Sequence, residues 1–197
     1  MCEVVQRDIP DIENSIASTD PEDYKTVTER YYTKLYSVDE DRGRRQDILV
    51  LNHSNKICLI TLAPTHPVIS NNLTVKKVNF EVSKKVDRKS NKTTGKSKKG
   101  GQPLETTSVL AIVETETESF PVKVSVEKYF KMFEKFDVVE AVVPGKLICI
   151  NQELVHHPTK LSSHTDSEGH IAIILPAKGQ YEQIRSDLVS HEDYLKL

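Results

Sequence analysis

The fold is decided by residues 143–175, which read "VPGKLICINQELVHHPTKLSSHTDSEGHIAIIL". The apolar runs "KLICI" and "HIAIIL" predict two strands, and "NQELVHHP" between them predicts a short helix that ends at Pro158. Gly145 permits a tight turn between strands, and Asn151 ends a strand by bonding its own backbone. Gly169 makes the turn before the closing strand, so both strands of this unit have defined ends.

More strand signals precede this stretch. The runs "ILVL" and "KICLITL" flank the turn residues "NHSN", which predicts a hairpin. Apolar residues nearly alternate in "LTVKKVNFEV", and "SVLAIVE" with "SFPVKVSV" predicts a second hairpin joined by "TETE". "VVEAVV" is one further strand, whereas "EKYFKMFEKF" is a short helix or an irregular insert. Many short strands, few aromatic residues and no tryptophan favour a mainly β sandwich or barrel.

Helices are predicted at both ends of the chain. The first starts near Asp20, which can cap it, and Tyr32 and Tyr36 on its flank are either covered or available to a partner. Its buried face is predicted from helical spacing to contain Tyr24, Val27, Tyr31 and Leu35. The last helix carries Tyr181, Ile184 and Leu188 at helical spacing, and Ser190 with Asp193 caps one more turn.

Charge is distributed unevenly along the chain. Eight basic residues lie between Lys84 and Gly101 against Asp87 alone, a local balance of +7. The formal net charge is −2, so the remainder carries −9. Residues 1–23 contain seven acids, with Arg7 as the only base, and are predicted to be an acidic disordered tail. The segregation suggests that the basic segment has a function of its own.

Composition excludes several classes of protein. No window approaches the roughly 18 unbroken apolar residues of a membrane span, and we expect a soluble intracellular protein with no membrane contact. Cys2, Cys58 and Cys149 are odd in number, and the last two lie in apolar runs, which predicts reduced core cysteines. The seven histidines show no metal-ligand spacing, and we find no nucleophile elbow or phosphate loop. We therefore expect no enzyme activity, no metal and no cofactor.

The basic segment, residues 84–101, is predicted to be a surface loop with almost nothing to bury. Lys84 and Lys85 precede a cluster of Lys96, Lys98 and Lys99 at the spacing of a bipartite nuclear import signal. An import receptor is therefore one expected partner. Weak contact with nucleic-acid phosphates is another, although no aromatic residue interleaves the lysines for base stacking.

The opening stretch resembles the C-terminal half of the lipoyl-bearing H-protein of the glycine cleavage system and its biotinyl and lipoyl relatives. The shared pattern is an alanine, a turn glycine, a strand ending in asparagine, a short helix, a proline and a last glycine. In this chain those positions are Ala141, Gly145, Asn151, Pro158 and Gly169. The resemblance implies a barrel-sandwich hybrid fold with peripheral N-terminal and C-terminal helices.

The carrier lysine of that pattern is not matched. It would lie eleven positions before the turn glycine, where this chain has Glu134. The neighbouring Lys135 is displaced by one residue, which in a strand moves a side chain to the opposite face. A scaffold without a swinging arm is therefore favoured over a lipoyl carrier.

A second resemblance covers more of the chain. The segments "RYYTKLYS", "ILVLNHSNKICLITLAPTHPVI", "GKLICINQELVHHP" and "EGHIAIILP" resemble the Abitram (simiate) family of actin-binding transcription modulators. This resemblance implies association with actin. It also implies a location in the nucleus, including nuclear speckles, and in the cytoplasm, including actin-rich cell projections.

Together these observations predict three regions: an acidic tail at 1–23, an H-protein-like domain at 24–176 that contains the basic loop 84–101, and a helical tail at 177–197. The leading hypothesis is a non-enzymatic actin-binding protein that modulates polymerisation and nuclear transcription. The alternatives are a lipoyl carrier related to the H-protein, and a nuclear nucleic-acid-associated factor acting through the basic loop.

Overall fold

The computed structural model describes residues 25–38, 46–116, 137–165 and 167–197, and the side chains of Val27 and of residues 137–140 are not described. Most elements are short strands. They are β1 (Tyr32–Ser37), β2 (Ile48–His53), β3 (Cys58–Leu62), β4 (Val75–Asn79), β5 (Glu81–Ser83), β6 (Val86–Asp87), β7 (Pro103–Leu104), β8 (Val109–Thr115), β9 (Asp137–Glu140), β10 (Gly145–Ile150), β11 (Ala172–Pro176) and β12 (Val189–Ser190).

The helices are short and lie between or after strands. They are α1 (Val27–Tyr31), α2 (Pro67–Ser70), α3 (Glu153–His156), α4 (Lys160–Ser163), α5 (Tyr181–Asp187) and α6 (His191–Tyr194). Thr26 and Glu29 form a capping box at the start of α1. Ser190 caps α6 by accepting a hydrogen bond from the Asp193 N–H, as predicted from the sequence.

The larger sheet has seven strands in the order β12-β1-β2-β3-β11-β10-β7, and its ladders are antiparallel. The predicted hairpin of β2 and β3 is confirmed, with Val50 opposite Ile60 at its centre. β11 then pairs with both β3 and β10. The segment 143–175 therefore supplies two adjacent strands of the main sheet.

A second sheet, in the order β4-β8-β9, packs against the first, and β5 pairs with β6. Both sheets contribute to one core: Val50, Ile60 and Leu147 come from the larger sheet, and Val78 and Leu110 from the smaller. This arrangement confirms the mainly β class with peripheral helices. Across the described residues it is sandwich-like, and the strands do not close into a barrel.

The predicted N-terminal helix was wrong beyond Tyr31. Residues Tyr32–Ser37 form β1, which pairs with β2 along its whole length, so that Leu35 is buried from a strand. The run "YTKLYS" consists largely of residues that fit a half-buried sheet, and the pairing partners decide its conformation. Tyr31, predicted to be buried, is 56% exposed.

Of the two cysteines in the described residues, Cys58 is buried as predicted and Cys149 is not. Cys58 is buried in β3, and burial raises the pKa of its thiol to about 12, so it is an unreactive core residue. Cys149, predicted to be in the core, is exposed. Strand alternation would place Cys149 on the same face as the buried Leu147. The register shift between these two residues interrupts the alternation, so that Cys149 faces outward.

Several predictions concern residues outside the described ranges. These are the acidic tail at 1–23, the start of the first helix at Asp20, the strand "SFPVKVSV", the segment "EKYFKMFEKF", and the carrier position at Glu134 with its neighbour Lys135. Within the described residues, β8 pairs with β4 on one side and β9 on the other.

Candidate functional site

An open groove of about 830 Å³ lies where strands β7, β10 and β11 meet the chain that leads into α5. Its floor is apolar because the strand ends present prolines and leucines. The floor contains Pro103, Leu104, Pro144, Leu175, Pro176 and Ala177. A floor of this kind removes apolar surface of a bound partner from water.

Three lysines surround the floor. Lys56 lies in the turn between β2 and β3 with φ of 69°, and its Nζ lies 5.0 Å from the centre of the Tyr181 ring. Lys146 and Lys178 are exposed at the start of β10 and after β11. Within the described ranges none of the three has an ion-pair partner, and Glu182 is the acid that lines the groove. The rim is therefore basic.

Gly145 sets the shape of the groove wall. A Cβ at this position would lie 2.2 Å from the Leu175 carbonyl oxygen and 2.9 Å from the Pro176 Cα. The close approach follows from pairing, since Gly145 lies opposite Pro176 on one side and Leu104 on the other. The sequence interpretation assigned Gly145 to a tight turn, but the structure places it inside paired strands, where glycine is required by proximity.

The other turn residues anchor the segment between β10 and β11. Asn151 Oδ1 accepts from the Glu153 N–H at 3.1 Å, and its Nδ2 donates to the carbonyls of Glu168 (2.6 Å) and His170 (2.9 Å). Asn151 thus stabilises the start of α3 and also fixes the segment that leads into β11. α3 ends at His156, and its C-cap His157 precedes Pro158.

Gly169 lies in the turn before β11. Its N–H donates to the His164 carbonyl at 2.8 Å, and an added Cβ would lie 2.4 Å from the Lys160 carbonyl oxygen. This close packing brings the end of α4 beside the start of β11. As at Gly145, the requirement for glycine comes from neighbouring backbone.

The predicted basic lysines lie on two small hairpins. Lys84 and Lys85 form the exposed turn between β5 and β6. Thr94 and Lys99 form a β-bridge around the turn that carries Lys96 and Lys98, and Ser97 of that turn lines the groove. The structure therefore brings the second lysine cluster to the edge of the groove. The sequence did not predict the groove lysines, because they lie far apart in the chain. The signal available was the turn sequences "PGK" and "PAKG", which favour exposure of Lys146 and Lys178.

The basic segment is not the unpacked loop that the sequence predicted. Arg88 is buried, and its guanidinium donates to the Val109 carbonyl (3.0 and 2.9 Å) and to Gln102 Oε1 (2.8 Å). Asn91 Nδ2 donates to the carbonyls of Leu147 and Ile148, both at 3.0 Å. The spacer between the two lysine clusters is thus fixed to the sheet. Nuclear import through these clusters stays a prediction, and it requires the spacer to detach.

Replacing Arg88 with methionine is expected to lower the free energy of unfolding by about 2 kcal/mol, because the Val109 carbonyl and Gln102 lose a charged donor. Burial also lowers the pKa of Arg88 by penalising its charged form, so the three hydrogen bonds offset a desolvation cost. Urea unfolding measures the loss. Lys89→Met is the matched control, since Lys89 is exposed and forms a surface ion pair with Glu81. Equal stability of the two variants would contradict the anchoring role.

The described part of the chain contains neither a candidate metal site nor a membrane-spanning helix. It contains no group of three or more histidine, cysteine, aspartate or glutamate residues placed to hold a metal ion. None of its helices is long and apolar enough to cross a membrane.

The fold and groove define a β-sandwich protein with a basic, apolar-floored surface groove. No protein-family model matches the chain. It is 32% identical over 181 residues to Protein Abitram of Homo sapiens (90% of this chain, 91% of the relative) and 32% identical over 172 residues to that of Danio rerio (86% of each). Protein Abitram of Dictyostelium discoideum is 27% identical over 176 residues, 88% of each chain. The chain belongs to the Abitram family, which confirms the resemblance inferred from the sequence.

Proposed function

We propose that this chain is a non-enzymatic actin-binding protein that modulates actin polymerisation and filament dynamics and, in the nucleus, transcription. The resemblance to actin-binding transcription modulators motivates the proposal. The observation that carries it is the groove, whose three lysines surround an apolar floor. The proposed locations are the nucleus with its speckles and the cytoplasm with its actin-rich projections.

The chemistry of the groove suits an acidic protein surface. Actin presents acidic side chains, and lysines without ion-pair partners attract such a surface and orient it. The apolar floor then contributes to affinity by burying aliphatic groups between the charges. The hairpin that carries Lys96, Lys98 and Lys99 extends the basic surface from the groove edge.

The test is a cosedimentation and monomer-binding assay with actin at micromolar protein. Changing Lys146→Glu together with Lys178→Glu is expected to weaken binding about tenfold, because two attractive charges become repulsive. The same double variant should lose its effect on the rate of actin assembly.

The matched control is Lys76→Glu with Lys84→Glu, which makes the same charge change at two exposed lysines outside the groove. It should bind nearly as the parent protein does. Equal losses in the two double variants would reject the groove as the contact surface. No association of the parent protein with filaments or monomers would reject actin binding itself.

A further inference from the structure

A second pocket, of about 470 Å³, lies where the end of α1, the end of β2 and the helix α5 meet. It is mainly polar and differs from the groove in composition. Arg30 and Tyr31 come from α1, His53 from β2, and Tyr181 and Arg185 from α5. Tyr181 also lines the lysine groove, so the two depressions adjoin at this residue.

One wall of this pocket is an aromatic stack whose outermost ring, Tyr31, is largely exposed. The Tyr31 ring is stacked on His53 with centroids 6.4 Å apart and planes 21° apart, and the Tyr32 ring meets His53 edge-on at 5.0 Å. His53 is held in place, since its Nδ1 accepts from the Asn55 N–H at 3.1 Å. Tyr31 is 56% exposed, so a flat ligand ring can be added to a stack whose inner members are already ordered.

Two arginines supply positive charge beside the stack. Arg30 and Arg185 are exposed, and in the part of the chain that the structure describes neither guanidinium has a hydrogen-bond or ion-pair partner. The acid in the pocket, Glu29, is engaged by Thr26, whose N–H donates to Glu29 Oε2 at 2.8 Å. Guanidinium groups in this setting recognise phosphate through paired N–H donors.

The floor of the pocket leads toward the lysine groove. Asn52 Nδ2 donates to the Tyr181 hydroxyl at 2.8 Å, which fixes the ring, and Lys56 lies over that ring. Lys56 also lines the groove, together with Lys146 and Lys178. Cations therefore continue for more than one phosphate, which a single phosphorylated side chain would not use and a nucleic-acid strand would.

We infer that this pocket binds single-stranded nucleic acid: a base stacks on Tyr31, its phosphate lies between Arg30 and Arg185, and the strand continues past Lys56. The site is separate from the basic hairpins and does not depend on actin binding. It supplies the aromatic surface that the basic segment lacks. Base stacking favours a single strand over a duplex, whose bases are already stacked.

The experiment measures fluorescence anisotropy of the full chain with labelled oligouridine and oligothymidine of about twelve nucleotides, over a range of salt. Tyr31→Ala is expected to weaken binding about tenfold with an unchanged salt dependence, because it removes stacking and no charge. Tyr31→Phe retains the ring and should bind as the parent does. Arg185→Ala should reduce the slope of log affinity against log salt by about 0.7 for one lost phosphate contact.

Several outcomes would overturn the inference. One is the absence of binding at low salt, and another is a Tyr31→Ala variant that binds as tightly as Tyr31→Phe. Loss of binding only after Lys96, Lys98 and Lys99 are changed to alanine would assign the affinity to the hairpin. A mononucleotide that binds as tightly as the oligonucleotide, or a duplex that binds more tightly, would exclude the single strand as ligand.

Discussion

Replacing Gly145 with alanine is expected to lower the free energy of unfolding by about 3 kcal/mol, because the new methyl group would overlap backbone. Its Cβ would lie 2.2 Å from the Leu175 carbonyl oxygen and 2.9 Å from the Leu175 carbonyl carbon. A flexible side chain would move aside, but these atoms belong to β11 in the main sheet. β10 is also paired with β7 through Leu104, so it cannot shift without breaking hydrogen bonds on one side.

Gly179→Ala is the control for this prediction. Gly179 has φ of 84°, and nothing lies within 4 Å of an added Cβ, so the change adds backbone strain without overlap. We expect it to cost about 1 kcal/mol. Urea or thermal unfolding of the two variants compares the cost of atomic overlap at Gly145 with the cost of a positive φ at Gly179. If Gly145→Ala is no less stable than Gly179→Ala, the strand ends are not as closely packed as the groove geometry requires.

The features predicted well from sequence are those decided by neighbouring residues. The turn between β2 and β3 follows from "NHSN", because these residue types stabilise turns through their own side chains. Ser190 caps α6 for the same local reason, and Ile184 of α5 is buried as its helical spacing predicted. The mainly β class follows from the number of short apolar runs.

Features decided by distant partners were not predictable in this way. Tyr31 and Leu35 have helical spacing, yet pairing with β2 makes Tyr32–Ser37 a strand. Cys149 belongs to an apolar run, but a register shift after Leu147 interrupts the alternation of β10 and turns Cys149 to the surface.

The candidate sites show the same limit. Lys56, Lys146 and Lys178 are far apart in the chain, and the order of strands in the sheet brings them to one groove. The charges of the basic segment, by contrast, are close together in the sequence and are visible there without a structure. Arg88 is the one arginine among the eight basic residues of this segment, and its guanidinium suits a buried site with several acceptors, but its burial depends on Val109 and Gln102, which lie further along the chain. Burial decides which of these cations is available to a partner.

Acidification from about pH 6.5 to pH 4 is expected to remove up to about 3 kcal/mol of stability through His66. His66 is buried at the start of α2, where its Nδ1 accepts from the Val68 N–H at 3.3 Å. Burial lowers the pKa of His66 from 6.5 to about 4, against the opposing attraction of Asp47. The unfolded chain therefore binds a proton at a higher pH than the folded chain does. Stability is complete above pH 6.5 and falls as the pH decreases toward 4.

His66→Asn isolates this effect, since asparagine can still accept the helix-start hydrogen bond but does not titrate. The variant will have a lower free energy of unfolding at neutral pH because it fills less space. The informative quantity is the difference between parent and variant, measured by urea unfolding at several pH values. Carboxylates titrate in both proteins and largely cancel in that difference, which should shrink between pH 6.5 and 4. A difference that stays constant across this window would mean that His66 is protonated in the folded protein, with Asp47 as its partner.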